Sequence, residues 1–139
     1  MTALYNRDIL RLASNLAAND RLEAPHGSAE VNSKTCGSRI IADVNLDKTG
    51  RVIAAAFRTH ACAVGQASAA ILHAKAVGET ADTIAQTRTE IAAFLIGNAD
   101  MPSRWPDLAT LNVAREYPAR HAAVLLPYDA LLSAIKNAL

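Results

Sequence analysis

The hydrophobic and polar positions follow a helix, then strands, then several helices. Leu4, Tyr5, Ile9, Leu12 and Leu16 recur at helical spacing and predict a first helix over 2–16. The next stretch, "AANDRLEAPHGSAEVNSKT", is polar and rich in turn formers, which predicts loop with an edge strand around 29–33. In "SRIIADVNL" the residues Ile40, Ala42, Val44 and Leu46 alternate with polar positions, as in a strand with one buried face. That alternation puts Asp43 on the other face, as a surface charge. "DKTG" is a turn, and "RVIAAAFRTH" is the returning strand of an antiparallel hairpin.

From Ala63 the period changes to that of a helix, reaching Val77 with Gly78 as its C-cap. A further helix starts at Thr80 or Asp82 and stops at Gly97-Asn98. A connector, a short helix over 107–114 and a last helix from Pro118 complete the chain. Pro127 lies inside that last pattern and predicts a kink or break. No repeat or linker divides the sequence, so the expectation is one domain over 1–139. Its fold class is α+β, a small antiparallel sheet of about three strands covered on one face by helices.

Composition narrows the function. The chain of 139 residues can bury a core without disulfides, and alanine supplies much of its apolar content, which predicts close packing of small side chains. A formal net charge of +1 offers no basic stripe for phosphates, so nucleic acid is not an expected partner. No apolar run reaches the ~20 residues of a membrane span, and "MTALYNRDIL" lacks a signal-peptide pattern. A cytoplasmic protein with no membrane partner is expected.

The two cysteines are the chemistry-bearing residues. Cys36 precedes the first good strand, with Gly37 behind it to bend the chain. Cys62 falls where a strand ends and a helix begins, where unpaired N–H groups and the positive end of the dipole favour a thiolate. One cysteine enters the hairpin and the other leaves it, so the two are expected close in space. Each also has a plain reading as a small buried hydrophobe. His60, two residues before Cys62, is a candidate third metal donor or a solvated strand-end histidine. His121 would face away from Ala123, and sequence shows no partner for His26 or His73.

The sequence resembles the U-type iron–sulfur cluster assembly scaffolds, namely IscU, SufU and the N-terminal domain of NifU. "LYNRDILRLASN" resembles their opening through Leu4, Tyr5, Ile9, Leu10 and Asn15. "KTCGSRI" resembles the segment around their first cysteine, and "FRTHACAVGQAS" the second through Phe57, Cys62, Ala67 and Ser68. "YPARHAAVLLPYDAL" resembles the third through Pro118, Arg120, Leu126, Ala130 and Leu131, and "LATLNVAREYPAR" is closer to the SufU type. The resemblance implies a scaffold, not an enzyme. Such a protein takes sulfur from a cysteine desulfurase, holds a transient iron–sulfur cluster or zinc, and serves apo iron–sulfur proteins as monomer or weak homo-oligomer. It also implies three cysteine ligands and an aspartate. Here Cys36 and Cys62 match, while Ser38 stands for the aspartate and Ala123 for the third cysteine. Two thiolates fall short of the four ligands that cluster iron generally takes. The expected binding set is therefore Cys36 and Cys62, with His60 as a further metal donor. The alternative is a degenerate paralogue that binds no cluster and modulates a desulfurase. A thiol enzyme with Cys62 as nucleophile and His60 or His121 as base matches no known pattern.

Overall fold

The structure, a computed structural model, describes residues 4–16, 21–34 and 37–139. The expectations that fall on Cys36 lie outside the described residues. The first helix, α1 (Arg7–Asn15), is shorter than its apolar pattern because Asn6 starts it: the Asn6 Oδ1 accepts the Ile9 N–H at 2.9 Å. Three strands follow, β1 (Gly27–Asn32), β2 (Arg39–Leu46) and β3 (Val52–His60), antiparallel in the order β1-β2-β3. The edge strand thus extends two residues earlier than its sequence suggested. In the β2–β3 turn the Asp47 Oδ1 accepts from the Thr49 N–H, the Thr49 hydroxyl and the Arg51 N–H. Gly50 takes the positive φ of 87° that closes it.

The helices α2 (Ala63–Lys75), α3 (Ala81–Leu95) and α4 (His121–Ala138) come next, with 3₁₀ turns over Pro106–Glu116 and Pro118–Arg120 before α4. Thr80 is the cap of α3, its Oγ1 accepting the Thr83 N–H. Gly78 does not cap α2; with φ 91° it turns the chain so that its N–H donates to the Val52 carbonyl. Of the kink or break that the sequence predicts at Pro127, the break does not occur: α4 runs through it as one helix. A proline costs its helix one N–H and the bond to the carbonyl four residues back, here that of Ala123. The burial of the flanking Leu126, Tyr128, Ala130 and Leu131 holds the turn together. No described helix is long and apolar enough to cross a membrane.

Register sorts the sheet into two faces. Ile40, Ala42 and Val44 of β2 lie opposite Thr59, Phe57 and Ala55 of β3, on the face that α4 crosses. β1 comes so close to α4 that only a glycine fits. A Cβ on Gly27 would sit 2.2 Å from the Ala134 carbonyl oxygen and 2.6 Å from the Ala138 nitrogen. The other face is not bare. Asp43 is fully buried there, a correction to its reading as a surface charge. The segment leading into β1 folds back over it. Arg21 donates Nε and Nη2 to the carboxylate at 2.7 and 3.0 Å, the Leu22 N–H donates at 2.9 Å, and the Ser28 hydroxyl makes the fourth hydrogen bond. Nearby, His26 takes the Leu46 N–H on Nδ1 at 3.0 Å and gives its own N–H to the Asn45 Oδ1. Alternation alone cannot reveal this second cover, because its donors come from a loop.

Burial would push the Asp43 carboxyl up, but the hydrogen bonds from Arg21, Ser28 and Leu22 outweigh it and hold the group below its ordinary value. A depressed folded-state value means that this contribution is present above the unfolded-state value. It is lost as the pH falls through the folded-state one. Stability should therefore drop below about pH 4, and Asp43→Asn should remove part of that dependence. At neutral pH, urea unfolding of Asp43→Asn should show a loss of about 1–3 kcal/mol, moderated because Arg21 can reach water. An unchanged midpoint would mean that the segment is held elsewhere. Gly27→Ala should cost about 1–3 kcal/mol, since backbone atoms would have to move. A thermal melt within experimental error of wild type would show that the end of α4 gives way freely.

Candidate functional site

The end of β3 feeds directly into α2, and Cys62 stands at the junction. It is the N-cap residue of α2, with extended φ and ψ of −66° and 169°, and its carbonyl takes the Gln66 N–H at 3.0 Å. Its side chain makes no capping bond and is half-buried, a free thiol beside the first turn of a 13-residue helix. The Gln66 side-chain amide donates back to the Ala61 carbonyl at 2.9 Å, fixing the entry of the chain. The sequence placed the thiol at this junction correctly.

The positions that stand for the aspartate and the third cysteine are buried. Ala123 is fully buried at the start of α4 and faces the same first turn. A Cβ on Gly65 would lie 3.5 Å from both the Cβ and the carbonyl oxygen of Ala123. Gly65 thus leaves room beside the Ala123 methyl. Ser38 is only 3% exposed, and its carbonyl accepts the Ser33 N–H at 2.8 Å. His60 is exposed at the end of β3, opposite Arg39 in register. Among the described residues no group of three or more His, Cys, Asp or Glu comes together.

The remaining histidines have structural partners. The His121 Nε2 lies 3.0 Å from the Arg115 carbonyl oxygen, an acceptor, so this nitrogen carries the proton. His73 meets the Phe57 ring edge-on at 6.3 Å between centroids. A groove of about 570 Å³ between Phe94, Met101, Trp105 and Arg115 contains neither cysteine nor histidine.

Residues 4–124 match the NifU-like N-terminal domain family. The chain belongs to that family. It is a scaffold family of iron–sulfur cluster assembly. The fold agrees in detail with a solved structure, the N-terminal part of a nitrogen-fixing NifU-like protein from Brucella abortus. That chain is 34% identical with a TM-score of 0.88, the match covering 96% of this chain and 93% of the other. A putative iron–sulfur cluster assembly scaffold protein for the SUF system, from Fervidobacterium islandicum, shares the fold. There the TM-score is 0.84 at 20% identity, over 95% of this chain and 96% of that one. Curated protein sequences gave no significant match.

One residue of this region had a sequence signal but no reason. Ser68 stood out only as a match to the motif. It is fully buried on α2, and its hydroxyl donates to the Val124 carbonyl of α4 at 2.6 Å. It ties the Cys62 helix to the helix that carries Ala123. Ser68→Ala should cost about 1–2 kcal/mol in chemical denaturation, the usual range for losing a buried partner. A neutral result would mean that close packing alone sets the α2–α4 seam.

Proposed function

We propose that this protein is a scaffold-type carrier that accepts sulfur and handles iron or zinc through Cys36 and Cys62, with His60 as a further donor. The observation that carries this reading is the half-buried Cys62 thiol at the N-terminus of α2, in a chain of this family. In the transfer step the Cys62 thiolate attacks the outer sulfur of a persulfide on a cysteine desulfurase. A new S–S bond forms to Cys62. The old one breaks, and its electron pair leaves on the donor's thiolate, so no external oxidant or reductant enters. The cluster or metal is cargo, and the protein turns over no substrate of its own. A cytoplasmic setting keeps both thiols reduced.

The described donors do not complete a metal shell. Where the family pattern has an aspartate and a third cysteine, this chain has a buried serine and a buried methyl. Cargo bound here is held loosely, by Cys36, Cys62 and whatever His60 or a partner adds. A second reading draws on the same observation. A scaffold-derived protein that binds no cluster, and modulates a desulfurase instead, would have its ligand positions closed in this way.

The double variant Ser38→Asp/Ala123→Cys separates the two readings. Gly65 leaves space for the added sulfur. The new carboxylate would enter a nearly dry site, so the metal-free variant should melt below wild type. With zinc at about 100 times its dissociation constant, binding should return about 2.7 kcal/mol of stability. Metal analysis after anaerobic loading and desalting should find little zinc or iron on wild type and near-stoichiometric metal on the double variant. If the double variant holds no more metal than wild type, Cys36 and Cys62 do not share a site, and the cluster-free reading takes over.

A further inference from the structure

The face of the sheet opposite α4 is covered only in part. The segment through Leu22, Glu23 and His26 lies over Asp43 and Asn45. Beyond it, toward Cys62, the face is open and basic. Register places Asn32 and His60 on either side of Arg39, and Glu30 and Arg58 on either side of Ile41. These six positions share the Asp43 face, because Asp43 continues the same alternation on β2. Arg39, Arg58 and His60 are exposed, as is Lys34 in the turn at the same end. The one acid among them, Glu30, stands 3.9 Å from Arg39. Asp43 is already matched by Arg21. Among the described residues Lys34 and Arg58 enter no ion pair. A chain of formal net charge +1 thus gathers unbalanced positive charge at one end of one face, the end where Cys62 begins α2.

We propose that this strip is the docking surface for an acidic face of the protein that exchanges sulfur with Cys62. Charge complementarity selects that occupant. Strands lie about 4.8 Å apart and same-face neighbours along a strand about 6.7 Å, so the cationic heads are spread over roughly 10 Å. A small anion would need converging, sheltered donors, and these stand in water. Nucleic acid would need a longer basic track, in a chain with more positive charge. A protein surface bearing two or three carboxylates at similar spacing fits both the spread and the exposure. Such a contact steers approach and sets orientation more than it adds affinity. It would present the partner's persulfide to the strand end from which Cys62 emerges.

The identity of the partner rests on the functional reading above, and the experiment keeps the two apart. The probe is the purified cysteine desulfurase of the same organism, its binding measured calorimetrically from about 50 to about 300 mM salt. Wild-type affinity should fall steeply across that range. Arg58→Glu should weaken binding about tenfold at low salt and flatten the salt dependence, and Arg39→Ala/Arg58→Ala should act in the same direction. Lys48→Glu, the same charge change in the turn at the other end of the hairpin, should leave binding within about twofold. All variants should melt close to wild type, since the altered side chains are exposed. If Arg58→Glu binds and accepts sulfur as wild type does, or if Lys48→Glu is equally damaging, the strip is not the docking surface while the carrier reading stands. If wild type fails to bind the desulfurase at any salt, the carrier reading falls and takes this proposal with it. Binding of a single-stranded oligonucleotide that depends on Arg58 would also overturn it.

Discussion

The position of the candidate site depends on how closely α2 approaches α4. α2 buries Gly65, Ala67, Ser68, Ala69 and Ala70, a run of small side chains unusual for a core helix. Small residues let two backbones come near enough for Ser68 to reach the Val124 carbonyl and for Gly65 to meet Ala123. A helix of leucines would have stood farther off and removed both contacts. The same seam accommodates Pro127. The Ala123 carbonyl that loses its intrahelical N–H partner to the proline lies at this seam beside Gly65. The weak β signal of the alanines in β3 has a similar origin. Ala55 and Ala56 lie opposite Val44 and Asp43 of β2, one on each face, and their place in the strand is set by that pairing rather than by strand propensity.

The sheet then divides the molecule's tasks between its faces. The inner face spends its residues on packing under α4, down to a glycine at Gly27 where even a methyl would collide with backbone. The outer face is held by polar chemistry. A buried carboxylate with three kinds of donor draws the segment before β1 across half of the sheet. Because that cover ends near Asp43, the half toward Cys62 keeps exposed cations and no hydrophobic patch. An edge-rich, three-stranded sheet with an open apolar face would invite association. Exposed charges stand there instead of such an apolar face.

How much of this was legible in the sequence follows from which signals are local. The strands, the hairpin turn and the start of α2 came from period and turn chemistry, because they are set by neighbours a few residues apart. Helix ends slipped where a single side chain decides them: Asn6 trimmed α1, and Gly78 turned the chain two residues after α2 had stopped at Ala76. Asp43 was misread because strand alternation describes one buried face and cannot anticipate that Arg21 and Leu22 will return to bury the other. The break at Pro127 did not occur, because its local cost is real but the packing that offsets it comes from elements far along the chain. At the site, the place of Cys62 was readable from the strand-to-helix switch. The approach of Ala123 to Gly65 was not, since it joins residues 58 positions apart. Ser68 was visible only as a match without a mechanism, and its bond to α4 supplies the mechanism.

The differences from the ligand pattern bear on what kind of carrier this would be. A structural metal site closes its shell with four protein ligands and contributes to folding, so removing the metal unfolds the protein. Nothing in this core needs such help. The α2–α4 seam, the Gly27 contact and the Asp43 knot are all made by protein groups alone. A carrier has the opposite need from a structural site: it must release what it holds. Fewer ligands, with the thiol at a helix N-terminus rather than inside the core, shift the balance from retention toward transfer. On that view Ser38 and Ala123 are places where the protein stopped competing with its acceptor. On the carrier reading proposed above, the orientation that a tight site would impose on the exchange would pass instead to the surface beside it, where Arg39 and Arg58 stand next to the strand end that leads into Cys62.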